Sequence, residues 1–255
     1  MKTQFTPRHL KTLNLNPSTS SKSVFLTLRR LCIIFLLFFS QISRLGAQSY
    51  SVNWTRDASI WGVSALHYAI NKQWENRVPI KGNYWRTIGI DKWAPTELRK
   101  PYAWASDNTK TACYASFAAM GFFLPAQDRI QYWQLGAQNV LIAGNITQSI
   151  KLTARRARPF NQPGYPYDHR DQFYSFISGH SSTTAAAATT AILAMRSQPD
   201  LKTAANVIAI GSGALALSTA TLRVAAGKHY PTDILAGMAL GVGVAVLNQA
   251  IHERF

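Results

Sequence analysis

Residues 182–196 read STTAAAATTAILAMR. Every residue before Arg196 is small or apolar, and nothing alternates with the two-residue period of a strand. Alanine loses no side-chain entropy in a helix, so the run is helix-favouring. Small side chains also let one helix approach another closely. Four further segments of helical length surround it: TACYASFAAMGFFLPAQ (111–127), YWQLGAQNVLIAGNITQSI (132–150), ANVIAIGSGALALSTATL (205–222) and DILAGMALGVGVAVLNQAI (233–251). Polar links containing Gly or Pro separate them. A sixth apolar run lies near the N-terminus, from Val24 to Ile42. Strand-like alternation is scarce, so the sequence predicts an all-α protein, a helical bundle. Ala and Gly dominate these segments, and Gln134, Asn139, Asn145 and Gln148 interrupt the second. Such composition suits close packing in a membrane and in a soluble bundle alike.

The chain of 255 residues is long enough for one sizeable domain. Residues 1–47 carry seven Lys and Arg and no acid, and so account for +7 of the net +16. Arg29-Arg30 precede LCIIFLLFFS, and a small residue, Ala47, follows. This pattern matches a secretory signal peptide cut after Ala47. The run from Val24 to Ile42 is also near the length of a membrane anchor. Residues 48–110 form a polar region rich in tryptophan, and residues 111–255 the helical core. All seven tryptophans fall between Trp54 and Trp133, as core packing or as an interfacial belt. RDASIWGVSALHYAINKQ (56–73) has amphipathic helical spacing. KGNYWRTIGIDKWAPTELRKPYAW (81–104), broken by Pro95 and Pro101, reads as loop with short helix. Cys32 lies in the apolar run, so Cys113 is alone in a processed chain and no intrachain disulfide is available. There is no basic stripe with interleaved aromatics, so nucleic acid is not an expected partner.

Three polar clusters stand at segment ends. The first is KLTARRARP (151–159). On a helix, Lys151 and Arg158 would be separated by ~700°, projecting from one face about 10 Å apart, with Pro159 as the stop. Arg155 would lie between them. Two fixed cations at a helix end suit a multivalent anion, and equally a solvated basic end. The second cluster is Ser178-Gly179-His180, predicted to begin a helix near His180. A helix start favours an anion, Gly179 admits close approach, and Ser178 can cap. A histidine there can act as acid or base. The third is RVAAGKHYPTD (223–233). Asp233 follows His229 by one helical turn, where it can hold one ring nitrogen or start the next helix.

In the order Lys-x6-Arg-Pro, Ser-Gly-His, Arg-x5-His-x3-Asp, the three clusters resemble the type 2 phosphatidic acid phosphatase superfamily. That group also includes bacterial acid phosphatases and vanadium haloperoxidases. The resemblance spans 151–233, and the helix layout extends it over most of 111–251. Ile177 stands where the family has proline, and Leu222 where it has serine.

The resemblance implies a metal-independent phosphomonoesterase or lipid phosphatase with its site at the ends of the core helices. His229 would be the nucleophile, forming a phosphohistidine, with Asp233 orienting it. His180 would be the general acid and then base. Lys151, Arg158, Ser178, Gly179 and Arg223 would bind the phosphoryl oxygens. No metal and no cofactor is implied. The expected partners are a phosphorylated lipid, such as phosphatidic acid or another lipid phosphate or diphosphate, and the membrane, with the site facing the periplasm or exterior. Residues 48–110 would then lie outside. A soluble periplasmic acid phosphatase of broad specificity is the alternative, acting on small phosphomonoesters. A vanadate-dependent haloperoxidase is a second. FNQPGYPYDHRDQFY (160–174) is read either as a loop over the site, which would include Asp168, His169 and Asp171, or as a plain connector.

Overall fold

Local chemistry sets where each helix begins and ends. The computed structural model describes residues 53–79, 81–87, 89–164, 170–198, 200 and 203–254. All lie in one unit, Arg44–Phe255. Its helices are α1 (Trp54–Arg77), α2 (Lys100–Met120), α3 (Ala126–Ala154), α4 (Gly179–Ser197), α5 (Thr203–Ala225) and α6 (Pro231–Arg254). There is no strand among the described residues, only an isolated bridge between Asn83 and Arg156. The expected all-α bundle is what forms. The predicted N-terminal targeting run lies outside the described residues.

The Asn53 side chain caps α1 by accepting the N–H of Arg56 at 3.1 Å. Pro101, read from sequence as a break, lies in the first turn of α2, where a missing N–H costs nothing. The loop expected over 81–104 therefore ends at Lys100, and a division at 110/111 runs through α2. Ser178 caps α4, accepting the N–H of Ser181 at 3.3 Å. Pro231 opens α6. The Asp233 carboxylate reaches back to the Tyr230 N–H at 2.8 Å, one half of a capping box.

α4 is the hub of the bundle. Residues Ser181, Ser182 and Thr184 to Ala194 are all buried. It packs against α6 at almost backbone distance. A Cβ on Gly237 would stand 2.6 Å from the Ser178 carbonyl oxygen, and one on Gly241 would collide with that of Ser182. Two glycines four apart give α6 a groove that accepts α4. Side-chain amides bridge the interior, with Asn139 donating to Thr190 Oγ1 (2.9 Å) and Asn248 to Asn139 Oδ1 (2.8 Å).

α1 runs the length of the bundle. Near its start, Asp57 meets His252 at the end of α6 (2.9 Å). Further along, Asn71 donates to the Asn145 carbonyl of α3 (2.8 Å), and His67 meets Ser149 (2.8 Å). Asn53 and Arg77 thus lie toward opposite ends. A helix within the 48–110 region thus spans the bundle from end to end, an element the expected topology did not include.

The faces of α1 are inverted relative to a helix in water. Asp57, Ser64 and Asn71, one every seven residues, are buried, while Val63 is 69% and Leu66 63% exposed. Two other helices, over Thr203–Ala225 and Pro231–Glu253, are long and apolar enough to cross a membrane.

Candidate functional site

Four helix ends meet at one end of the bundle. Lys151 lies in the last turn of α3, Ser178 and Gly179 at the start of α4, Arg223 in the last turn of α5 and Asp233 in the first turn of α6. His180 is the second residue of α4, and His229 sits in the connector between α5 and α6. Backbone bonds fasten these ends together. The Ser178 N–H donates to the Asp233 carbonyl (3.1 Å), and the His229 N–H to that of Arg223 (3.3 Å). Lys151 Nζ lies 3.5 Å from where a Cβ on Gly179 would be, so the glycine keeps the space before the ammonium open.

His229 is 1% exposed. Its Nδ1 lies 2.7 Å from the Ser175 carbonyl oxygen. A carbonyl only accepts, so Nδ1 carries the proton and Nε2 the lone pair. Burial first, then the charges of Arg158, Arg223, Lys151 and His180, hold the His229 pKa well below its usual value. The imidazole is therefore neutral and nucleophilic at one nitrogen.

The expected grip of Asp233 on His229 is not direct. Asp233 Oδ2 stands 3.6 Å from Nδ1, beyond hydrogen-bond reach. The Ser175 carbonyl occupies that position. Asp233 acts one step back, accepting the Ser175 hydroxyl (2.5 Å) and the Tyr230 N–H (2.8 Å). Ser175 thus serves both residues, one with its carbonyl and one with its hydroxyl. The peptide bond between Phe176 and Ile177 is cis, and the Ile177 side chain is buried.

The helical geometry expected for KLTARRARP also needs correction. α3 stops at Ala154, because Arg155 turns left-handed (φ 46°) and its N–H caps back to the Lys151 carbonyl at 2.9 Å. Its side chain reaches the Pro79 carbonyl rather than sharing a face with Lys151. Arg158 comes from the extended chain beyond, pinned by its N–H to the Gln172 carbonyl (2.9 Å). Its guanidinium donates to the Asp171 carbonyl (2.6 Å) and carboxylate (2.5 Å). Burial alone would raise the Asp171 pKa, but Arg158 and Lys151 outweigh it and hold it at about 2. Lys151 and Arg158 still converge, since both charges reach His229.

Four residues absent from the motif reading, Arg156, Asp91, Asp107 and Ser106, complete the arrangement. Buried Arg156 bridges two buried acids, Asp233 Oδ1 (2.6 Å) and Asp91 Oδ2 (2.7 Å), with its guanidinium 3.9 Å from the Tyr230 ring centroid. Asp107 of α2 lies 2.7 Å from His180 Nε2. Arg223 donates to the Ser106 hydroxyl at 3.2 Å. The basic cluster ARRAR offers no way to tell Arg156 from its neighbours. Asp107 stands 73 residues before His180 and matches no motif.

Asp168 and His169 of the 160–174 connector lie outside the described residues. Beside the site a cleft of about 530 Å³ is lined by Trp85, Lys92, Asn161 and Tyr230 among others. No group of three or more His, Cys, Asp or Glu side chains that could hold a metal occurs among the described residues.

Residues 131–254 match the family model described as the PAP2 superfamily. Two curated relatives, each 31% identical over 121 residues, are lipid A 1-phosphatases, from Rhizobium johnstonii and Rhizobium etli. The match takes in 45% of this chain and 46% and 48% of theirs, so the chain spans about half the length of these relatives. A solved structure, a transmembrane PAP2-type phosphatidylglycerolphosphate phosphatase from Bacillus subtilis, is similar over 89% of this chain and 96% of its own. That likeness is at 20% identity, with a TM-score of 0.43. On the family match and the three motifs it contains, residues 131–254 form a domain of the PAP2 superfamily, the type 2 phosphatidic acid phosphatases.

Proposed function

We propose that this protein is a membrane phosphatase that removes phosphate from lipid phosphate esters through a phosphohistidine on His229. The observation that carries this reading is the buried, neutral His229. Its protonated Nδ1 is held by Ser175, and Lys151, Arg158 and Arg223 surround it.

In the first step the Nε2 lone pair attacks phosphorus. The P–N bond forms as the P–O bond to the leaving alcohol breaks, and His180 gives its proton to that oxygen. In the second step His180 takes a proton from water, whose oxygen bonds to phosphorus as the P–N bond breaks. The products are alcohol and inorganic phosphate. The three cations, the Ser178 hydroxyl and the Gly179 N–H hold the phosphoryl oxygens at fixed positions throughout.

The apolar lengths of α5 and α6 and the outward apolar face of α1 support membrane embedding. The site faces the exterior in this reading. The relatives named lipid A 1-phosphatase put a phosphorylated glycolipid beside phosphatidic acid as first substrates to assay. His229→Ala abolishes hydrolysis while the protein stays folded; near wild-type turnover in that variant ends the assignment. Activity that stays with carbonate-washed membranes is expected. Release into the soluble fraction revives the soluble acid phosphatase. Bromide oxidation with added vanadate and peroxide revives the haloperoxidase.

A further inference from the structure

Asp107 is an acid placed among the cations of the site. Its Oδ1 lies 2.7 Å from His180 Nε2 and 3.6 Å from Arg223 Nη1. The neighbouring Ser106 hydroxyl accepts from the same Arg223 nitrogen at 3.2 Å. One stretch of α2 thereby reaches both the proton-transferring histidine and an anion-binding arginine.

We infer that Asp107 is the positioning residue of His180, fixing which ring nitrogen moves the proton and steadying the imidazolium. This rests on the reading of His180 as proton donor. A carboxylate only accepts, so Nε2 carries a hydrogen toward Asp107. Nδ1 is then the nitrogen that gives its proton to the leaving oxygen as the P–O bond breaks. It is also the nitrogen that takes a proton from water in the second step, and each cycle returns the ring to its starting state. The same division of labour holds wherever a carboxylate orients a catalytic imidazole.

The charges around His180 make the acid necessary. Lys110 from α2 and Arg223 from α5 bring positive charge to it, Lys151 of α3 lies beside the neighbouring Gly179, and the neutral His229 ring is near. Burial first, then the charges of Arg223 and Lys110, oppose a protonated imidazole and hold the His180 pKa below its usual value, and Asp107 is the acid that favours the protonated form. It is half-exposed, so the core does not depend on it, and an amide of the same shape fits its place.

The test is Asp107→Asn in the full-length protein in detergent micelles, assayed by single turnover on phosphatidic acid and on p-nitrophenyl phosphate. The expected result is about a tenfold lower rate on phosphatidic acid at neutral pH. The alkaline limb of its pH profile moves about one unit toward acid. The loss on p-nitrophenyl phosphate is smaller, because nitrophenolate departs without a proton. Asp107→Glu keeps the carboxylate and restores most of the limb. An unmoved limb, an equal loss on both substrates, or a faster enzyme with tighter phosphate binding overturns the inference. If the wild type hydrolyses neither substrate, the reading of the whole site falls first. An active wild type with an inert His229→Ala and an unaltered Asp107→Asn overturns the role of Asp107 alone.

Discussion

Replacing Arg156 by methionine tests whether the site depends on a buried ionic frame. The guanidinium joins Asp233 on α6 to Asp91 of the connector before α2, at 2.6 and 2.7 Å. All three side chains are buried. Methionine keeps much of the volume over Tyr230 and leaves both carboxylates without a cation. Removing one partner of a buried pair costs about 3–5 kcal/mol. The lower end applies here, because each acid keeps other donors. Asp233 retains the Ser175 hydroxyl and the Tyr230 N–H, and Asp91 retains the Thr232 N–H (3.0 Å) and hydroxyl (2.8 Å). At about 2–4 °C per kcal/mol for a chain of this size, a loss of about 3 kcal/mol lowers the melting midpoint by roughly 6–12 °C. The assay is tryptophan fluorescence against temperature in detergent at one fixed scan rate, because membrane proteins seldom unfold reversibly. Hydrolysis is measured in parallel at a temperature where both proteins are folded. It should fall as well, since Asp233 holds Ser175 and Ser175 holds His229. Arg156→Lys recovers only part, because an ammonium cannot fork between two acids. Adding Asp91→Asn to Arg156→Met should cost less than the sum of the single changes. A midpoint within about 2 °C of wild type would show that the frame is not what holds this end together.

Other consequences can be measured directly. Histidine-selective ¹⁵N NMR should show His229 neutral, with the proton on Nδ1, at pH 6.5 and for some distance below it; its pKa is lowered, so the neutral form is lost only as pH falls through that lower value. A midpoint at or above 6.5 contradicts the burial argument. Gly241→Ala drives a methyl into the Ser182 carbonyl and should destabilise the protein strongly. Gly243→Ala, two residues on and facing open space, should be neutral or raise stability by about 0.5–1 kcal/mol. Equal effects of the two would mean that α4 and α6 do not touch as described. Leu66→Lys puts a charge on the outward face of α1. In a bilayer it costs about 2.5–3.5 kcal/mol near mid-depth and should cut the yield of membrane-inserted protein; an unaffected yield argues that this face meets water.

Much of this was legible in the sequence because spacing and chemistry agreed. The run from Ser182 to Arg196 could only be a helix, and Ser178 announced its start within a residue. Lys151, Ser178, Gly179, Arg223 and Asp233 stood at apolar segment ends, and the structure brings those ends together. What the sequence hid depended on non-local partners. Nothing in KLTARRARP shows that Arg155 turns left-handed, because the strand-like contact with Asn83 that fixes the chain there comes from 72 residues earlier. His-x3-Asp suggests a direct pair, yet the Ser175 carbonyl takes the nitrogen, and a backbone acceptor leaves no mark in residue type. Asp107 and Asp91 look like ordinary acids in polar links until the fold places them beside His180 and Arg156. Pro101 was ambiguous between stopping a chain and starting a helix, and only the first turn of α2 decides it.

The inverted faces of α1 carry a consequence for how this protein tolerates change. In a water-soluble helix the inner stripe accepts greasy replacements and the outer face accepts almost anything polar. On α1 the permissions trade places. Val63 and Leu66 can drift among oily residues with little effect, while Asp57 and Asn71, whose side chains bond to α6 and α3, resist even a conservative apolar swap. A library built on α1 should therefore return its variants sorted by that rule, with the tolerant positions tracing the outward face and the intolerant ones the seam of the fold.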